Sequence, residues 1–288
     1  MRFALIARRA TPTNDALAGA RAGSIVWELM TPEEALENLR PGDVAVGRLD
    51  VLPSSDGIDD GLWSLGALAA RGVTVLNDAA ALLAVHDKLQ TARLLRRFGL
   101  PHPTTVHVRE DWPFPAVRPP VVVKPRFGSN GRGVYLCEDE TSLSATVEAL
   151  RGTSWFGEHG VLVQTLVPPH GYDLRILVAG ERVVGSVFRV AAPGEWRTNV
   201  ALGAVRKAVP DPPPRACTFA LAAAQASRAT LVGVDLLRDA QGNWTIVELN
   251  GAVEFSAEYN IDADVFAEVA TELARFAAHA GSLSAATV

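Results

Sequence analysis

The chain has 288 residues, 48% of them hydrophobic and 20% charged, with a formal net charge of −5. That composition is ordinary for a globular protein with room for two or three subdomains. The acidic balance and the lack of any basic run exclude a general nucleic-acid binder, and no apolar segment approaches the ~20 residues a membrane-spanning helix needs. Two cysteines, Cys137 and Cys217, make neither a metal spacing nor a disulfide framework, which fits a reducing cytoplasm. The apolar run that opens the chain is too short for a signal peptide and reads as a first strand.

Residues 1–85 alternate strand and helix patterns. Strands are predicted at Phe3–Ala7, Ile25–Glu28, Val44–Gly47 and Val73–Asn77, and helices at Thr31–Leu39 and Gly61–Arg71. Thr31 is a cap and Pro32 takes the first helical position. The rhythm predicts a small parallel α/β domain. Residues 86–119 connect it to the rest. A helix from Val85 to Phe98 puts Leu89, Ala92, Leu95 and Phe98 on one face, with Lys88 in its first turn and Gly99 as its stop. The segments 100–105 and 113–120 are proline-rich connectors.

Lysine is scarce: Lys88, Lys124 and Lys207 stand against twenty-four arginines. Positions that resist such a bias are candidates for a compact point charge, which points at Lys88 and Lys124. In a subdomain of residues 120–170, Lys124 lies on the strand Val121-Val122-Val123-Lys124. This runs into a loop with Gly128, Ser129, Gly131 and Gly133, then a second strand over 134–136. Such glycines let backbone N–H groups approach a phosphate, although a flexible hairpin tip has the same composition. It is neither a Walker loop nor a dinucleotide fingerprint. A helix over 142–150 and a strand over 161–164 follow.

Residues 171–280 begin with two strands, 173–178 and 182–189, paired through Ala179-Gly180-Glu181, and a helix near 215–228. A second hairpin joins Gly233–Leu237 to Ile246–Asn250. A turn centred on Gln241-Gly242 places Asp235 opposite Glu248, with Asn250 on the same face. Two like charges face to face destabilise a sheet unless something neutralises them, and Mg²⁺ would. Three solvated polar residues are the alternative. A closing helix spans about 262–278, and residues 281–288 read as a frayed tail.

In this order the segments resemble the ATP-grasp amide ligases, and within them the RimK/LysX branch that joins an amino acid to a carboxylate. The resemblance runs from Asn77 to Tyr259. It includes Asp87-Lys88, Gly99-Leu100-Pro101-His102-Pro103-Thr104, the Val-Lys-Pro strand with its glycine loop, and Gln164-Thr165-Leu166-Val167. Asp173-Leu174-Arg175, Arg189, Trp196-Arg197-Thr198-Asn199, Gly233-Val234-Asp235 and Glu248-Leu249-Asn250 complete it. The resemblance implies an α/β (α+β) ATP-grasp fold, in which a small parallel domain precedes two α+β subdomains that clasp ATP.

It also implies roles. Lys88 and Lys124 would contact the phosphates while the Gly128–Gly133 loop closes over them. Gln164, Leu166 and Val167 would hold the adenine. Asp235, Glu248 and Asn250 would bind Mg²⁺, with Mn²⁺ able to stand in. Arg175 and Arg189 would hold substrate carboxylates or the tetrahedral oxyanion, and Asn199 would contact substrate or phosphate from a mobile loop. The expected partners are an amino acid and a carboxylate acceptor, which a carrier protein or peptide could supply, in a cytoplasmic homo-oligomer that binds neither nucleic acid nor membrane. After Asn250 the chain reads Gly251-Ala252-Val253-Glu254-Phe255-Ser256, where ribosomal-tail glutamate ligases carry Pro-Gly, and the Glu-Phe is closer to the LysX type.

The alternatives are a glutathione-synthetase-like or dipeptide ligase, a nucleotide-binding module without turnover, and a phosphotransferase that stops at the phosphorylated product. Arg175 could instead make a surface salt bridge. The six histidines, His102 among them, show no metal spacing and read as structural or solvated, while Arg126 and Arg132 flank the glycine loop.

Overall fold

The computed structural model describes residues 1–109 and 117–285, with side chains through residue 279. Part of the 113–120 connector and the last three residues of the expected tail lie outside them.

The first unit alternates β1 (Phe3–Ile6), α1 (Pro12–Gly19), β2 (Arg21–Ala22), β3 (Ile25–Met30), α2 (Pro32–Asn38), β4 (Val44–Gly47), α3 (Leu62–Ala70) and β5 (Thr74–Leu76). Its sheet has the order β2-β3-β1-β4-β5, parallel except for β2, as the alternating pattern predicts. Thr31 closes a capping box on α2, with its hydroxyl accepting from Glu34 N at 3.2 Å and the Glu34 carboxylate accepting from Thr31 N at 2.8 Å. The helix α1 went unpredicted because it is short and buries only Leu17 among its large apolar side chains.

Where one helix was expected over Val85–Phe98 there are two, α4 (Ala79–His86) and α5 (Lys88–Arg97). Asp87 breaks them with an extended backbone, and its carboxylate accepts from Leu89 N and Gln90 N. That N-cap makes Lys88 the first helical residue rather than an inner one.

The central unit holds β6 (Thr105–Val108), β7 (Val121–Pro125), β8 (Tyr135–Cys137), α6 (Glu140–Arg151), α7 (Ser154–His159) and β9 (Val161–Thr165) in an antiparallel sheet ordered β6-β9-β7-β8. The last unit holds β10 (Tyr172–Ala179), β11 (Arg182–Val190), β12 (Val205–Ala208), α8 (Pro214–Ser227), β13 (Leu231–Arg238), β14 (Trp244–Asn250) and α9 (Val265–Ala285). Its sheet is antiparallel, ordered β12-β11-β10-β13-β14. The helix α9 runs to Ala285, past the expected end at Ala278. No described helix is long and apolar enough to cross a membrane.

One apolar core is shared between units: Leu5, Trp27 and Val46 of the first sheet pack with Leu177, Val187, Tyr259 and Leu273 of the last. Asn77 stitches the same seam. Its side-chain oxygen accepts from Thr230 N (2.7 Å) and Leu231 N (3.0 Å), and its amide donates to Leu231 O at 2.7 Å. Asn77 holds a left-handed φ of 48°, which asparagine tolerates better than bulkier residues.

The β13–β14 register places Asp235 opposite Glu248, as expected, by a different route. Next to the turn Arg238 faces Trp244, so the loop centres on Gln241 alone. An irregularity beyond Asp235 leaves Val247 without a partner and restores the pairing.

Candidate active site

A cleft between the central and last sheets is lined by Lys88, Lys124, Gly128, Ser129, Gly131, Gln164, Leu166, Val167, Arg189, Asn199, Asp235 and Glu248. Three other expected residues stand behind this lining. Gly133 has a φ of 67° beside Pro125, Arg175 pairs with Asp235, and Asn250 donates toward Asp235 at 3.4 Å.

Lys88 is positioned from two sides. Asp87 caps its helix and takes a bidentate grip from Arg126 (2.8 and 2.5 Å), while Lys88 N donates to Arg126 O at 3.2 Å. The Lys88 ammonium lies 2.9 Å from Glu248 Oε1 and donates to Gly128 O at 2.5 Å. It therefore links the glycine loop to the last sheet.

Lys124, only 8% exposed, donates to Gln164 Oε1 at 2.9 Å. Burial pushes its pKa down to about 8, against the pull of Glu248. Gln164 passes the network on, donating to Thr105 Oγ1 at 2.8 Å and reaching His102 Nε2 at 3.2 Å. His102 Nδ1 sits 2.8 Å from Ile246 O, which can only accept, so the proton is on Nδ1 and Nε2 receives the Gln164 amide. Burial, with Lys124 nearby, holds His102 down at about 4, so the ring is neutral. The Gln164 side chain is thus committed to Lys124, Thr105 and His102, while Leu166 gives its N–H to Pro120 O.

The glycine loop needs its glycines. Asn130, Gly131 and Gly133 all have left-handed φ, and a Cβ on Gly131 would come within 2.6 Å of Asn199 Oδ1. Arg197, clasped by Glu195 at 2.8 and 3.0 Å, donates to Gly131 O at 3.0 Å. The loop rests against 195–199 and leaves about 150 Å³ of free space in the cleft. Ligand pockets usually offer about 300–1,000 Å³, so the cleft is narrow for a ligand with the loop in this position.

The opposite wall is an ionic lattice. Arg175 clasps Asp235 with both prongs (2.6 and 2.7 Å), and Arg189 reaches the same carboxylate at 2.8 Å. Arg189 also clasps Asp173, which faces it across β10–β11, and Thr198 donates to Asp173 Oδ2 at 2.6 Å. The two arginines are not opposite each other, since Arg175 faces Val187 and Arg189 faces Asp173; they converge because both reach Asp235. Arg175 is no surface salt bridge, since Asp235 is 2% exposed. Burial would raise the Asp235 pKa, but the two guanidiniums hold it below the usual carboxylate range; Glu248 is held down likewise by Lys88.

Neutralisation of the facing carboxylates therefore comes from protein cations, which removes the need for a metal inferred from like-charge repulsion. The donor set still suits one. Glu248 spends only Oε1 on Lys88, Asp235 Oδ1 accepts a single bond, and Asn250 adds an amide oxygen. Two carboxylates and an amide are hard donors of the kind Mg²⁺ takes while drawing its remaining ligands from water and phosphate. Among the described residues no group of three or more His, Cys, Asp or Glu side chains is placed to hold a metal ion.

The profile of the RimK-like ATP-grasp domain matches residues 85–275. The chain belongs to the RimK-like ATP-grasp family. The chain is 34% identical over 187 residues to a probable alpha-L-glutamate ligase of Pseudomonas aeruginosa, covering 63% of this chain and 60% of the relative. A protein of the same description from Azotobacter vinelandii is 33% identical over the same shares. The chain thus spans about 60% of the length of the curated relatives it matches. Among solved structures, a RimK domain ATP-grasp protein from Sphaerobacter thermophilus superposes with a TM-score of 0.68 at 22% identity, over 96% of this chain and 99% of that one. A D-alanine–D-alanine ligase from Bacillus anthracis complexed with ATP gives 0.71 at 14% identity, over 99% of both chains. These likenesses establish the ATP-grasp fold.

Sequence reading missed several members of the site. His102 was read as structural or solvated, and neither Asp173 nor Thr198 was given a role of its own. Each acts through a partner at least 25 residues away or across a strand pair, and no local pattern announces that.

Proposed function

We propose that this RimK-like ATP-grasp protein is an ATP- and Mg²⁺-dependent carboxylate–amine ligase that releases ADP. The observation that carries the reading is the convergence of Lys88, Lys124 and the glycine loop on the side of the cleft facing Asp235, Glu248 and Asn250. In this reading a substrate carboxylate oxygen attacks the γ-phosphorus and ADP departs, which leaves an acyl phosphate. An amine then attacks the acyl carbon, loses a proton and expels inorganic phosphate, so an amide forms. Lys88 and Lys124 hold phosphate oxygens, and the glycine loop excludes water. Arg189 and Asn199 face the reacting end, and Arg175 keeps Asp235 ionised and oriented. Asp235, Glu248 and Asn250 would hold Mg²⁺, which would supply positive charge against the phosphates.

The substrates are an amino acid and a carboxylate acceptor of glutamate type, free or at the end of a peptide or carrier protein; the names of the glutamate-ligase relatives support this class. The intact set of two lysines, two carboxylates and an amide favours turnover over a module that only binds nucleotide. The test is Mg²⁺-dependent ADP release across a panel of amino acids, with and without carboxylate acceptors, and product masses. ADP formed only when both are present, with one water lost in the product, is the expected result. ADP formed without any amine would mean a phosphotransferase. Glu248→Gln should lose roughly 100-fold or more of the turnover while the fold persists, and unchanged activity would remove the metal assignment.

A further inference from the structure

Behind Lys124 a chain of side-chain hydrogen bonds leaves the cleft and ends on the opposite sheet. Gln164 lies on β9, opposite Thr105 of β6 on one side and Val122 of β7 on the other. Lys124 is two residues beyond Val122, so it shares the face of Gln164 and stands diagonal to it. His102 lies in the connector ahead of β6, and its Nδ1 is anchored on Ile246 O, two residues from Glu248 on β14. The chain from Lys124 through Gln164 and His102 to Ile246 therefore spans both walls. It ties an ammonium of the central sheet to the strand that carries Glu248.

Every link has a fixed direction. Ile246 O can only accept, so His102 Nδ1 holds the proton and Nε2 presents a lone pair. That lone pair takes one N–H of Gln164 at 3.2 Å, and Thr105 Oγ1 takes the other at 2.8 Å. Thr105 gives its own hydroxyl proton to Pro103 O at 3.0 Å. Both amide hydrogens are claimed on the side away from the cleft, which leaves Gln164 Oε1 to face Lys124 at 2.9 Å. A flipped amide would set its N–H groups against the ammonium, donor against donor, and turn its oxygen on the Nε2 lone pair. In a buried network such mismatches are costly, so the ring selects one orientation.

The connector does not need the Gln164 link to keep its place. Pro101 O accepts from Ile246 N and Thr104 O accepts from Thr165 N, both at 2.9 Å, and these backbone bonds fasten it to the last and central sheets. The bond from Gln164 to Nε2 leads instead to Lys124, which lines the cleft.

We propose that His102 is a positioning residue for Lys124: through the Gln164 amide it keeps an acceptor against the ammonium and aims that charge at the phosphates of a bound nucleotide. The inference rests on the ligase reading and deepens it, because Gln164 then serves the phosphate side of the site rather than the adenine.

Two substitutions split the ring's two bonds. Asparagine at 102 can still donate to Ile246 O from where Nδ1 lies but offers no acceptor at the place of Nε2, whereas glutamine can put an amide oxygen there. The full-length protein is titrated calorimetrically with the Mg²⁺ complex of a non-hydrolysable ATP analogue. Wild type, His102→Asn, His102→Gln, Lys124→Met and the double variant His102→Asn with Lys124→Met are compared. The expected result is about tenfold weaker binding in His102→Asn, the loss of one well-aimed charged contact, with most of the affinity recovered in His102→Gln. Adding His102→Asn to Lys124→Met should cost nothing further, because the histidine acts through the lysine. Unchanged affinity in His102→Asn overturns the proposal, as does a His102→Gln variant no better than His102→Asn. A tenfold loss that persists beside Lys124→Met overturns it too, since His102 would then act on the fold or on another part of the site. Gln164→Met cuts the same chain one link nearer the lysine and is read by the same cycle, so the test stands even if His102→Asn does not fold. A wild type that fails to bind the analogue would instead overturn the ligase reading itself, and the positioning role with it.

Discussion

Lys124 and Asp235 face the same cleft, and both are almost wholly buried, yet their surroundings differ in kind. Asp235 sits on a strand between strands, with two guanidiniums fixed on it and Asp173 sharing the second. Among the described residues the direct partner of Lys124 is the neutral carbonyl oxygen of Gln164, beside a loop that needs three left-handed residues. One wall is a finished lattice in which removal of any charge strands another. The other carries a buried ammonium bonded to a neutral oxygen, next to a loop held in left-handed conformations. In the proposed function a polyanion would complete the second wall without disturbing the first. That is how a site can be both preorganised and open to its substrate.

The contrast can be broken at its two centres. Asp235→Asn should cost about 3–5 kcal/mol, because Arg175 and Arg189 are left buried with too little negative charge. Lys124→Met should change stability by about 1 kcal/mol or less, since the cost of burying a charge disappears as the Gln164 bond is lost. Both should lose nucleotide-dependent turnover. Urea denaturation checks the stabilities; equal losses would mean that the walls are not built differently.

A smaller effect is expected at the seam between the loop and Asn199. Gly131→Ala adds a Cβ within 2.6 Å of Asn199 Oδ1 at a φ of 70°, so the loop cannot seat. About 1–2 kcal/mol of stability and roughly tenfold in ATP affinity should go. Hydrogen exchange over residues 126–133 should slow when MgATP binds the wild type and change much less in the variant. Equal protection with and without nucleotide would mean the loop does not close on phosphate.

The last effect appears only in acid and concerns His102. Its pKa is about 4 in the folded chain and 6.5 ordinarily. Between those values the unfolded chain binds more protons, so stability is fully present above pH 6.5 and falls as the pH drops toward 4. The span corresponds to roughly 3 kcal/mol. His102→Asn should flatten the pH dependence of unfolding in that window, and an unchanged slope would show that another group is responsible.

Much of the fold was legible because period and punctuation are local. Val44–Gly47 appears as predicted, Thr31 and Pro32 start a helix, and Gly99 ends one with a φ of 65°. The elements that escaped are short or exposed: α1, β2, β6, α7 and β12, whose four residues are mostly outside. Asp87 shows a subtler limit. The apolar face runs on through it, but a carboxylate that can cap a helix and hold Arg126 ends one helix and begins the next.

For the site, residue types and spacing were enough to nominate Lys88, Lys124, the glycine loop, Asp235, Glu248 and Asn250, because strand alternation and glycine conformation act over a few residues. Their partners were decided in three dimensions. Whether the Asp235 carboxylate meets a cation depends on β10 lying beside β13, which brings in Arg175, and on β11 lying beside β10, which brings in Arg189. The neutral state of His102 depends on burial against Ile246. The cavity lined by Arg9, Arg48 and Arg132 sits where the first sheet reverses its strand order, beside a loop more than 70 residues further along the chain. Charge compensation and desolvation are set by neighbours in space, and a chain written in one dimension does not carry them.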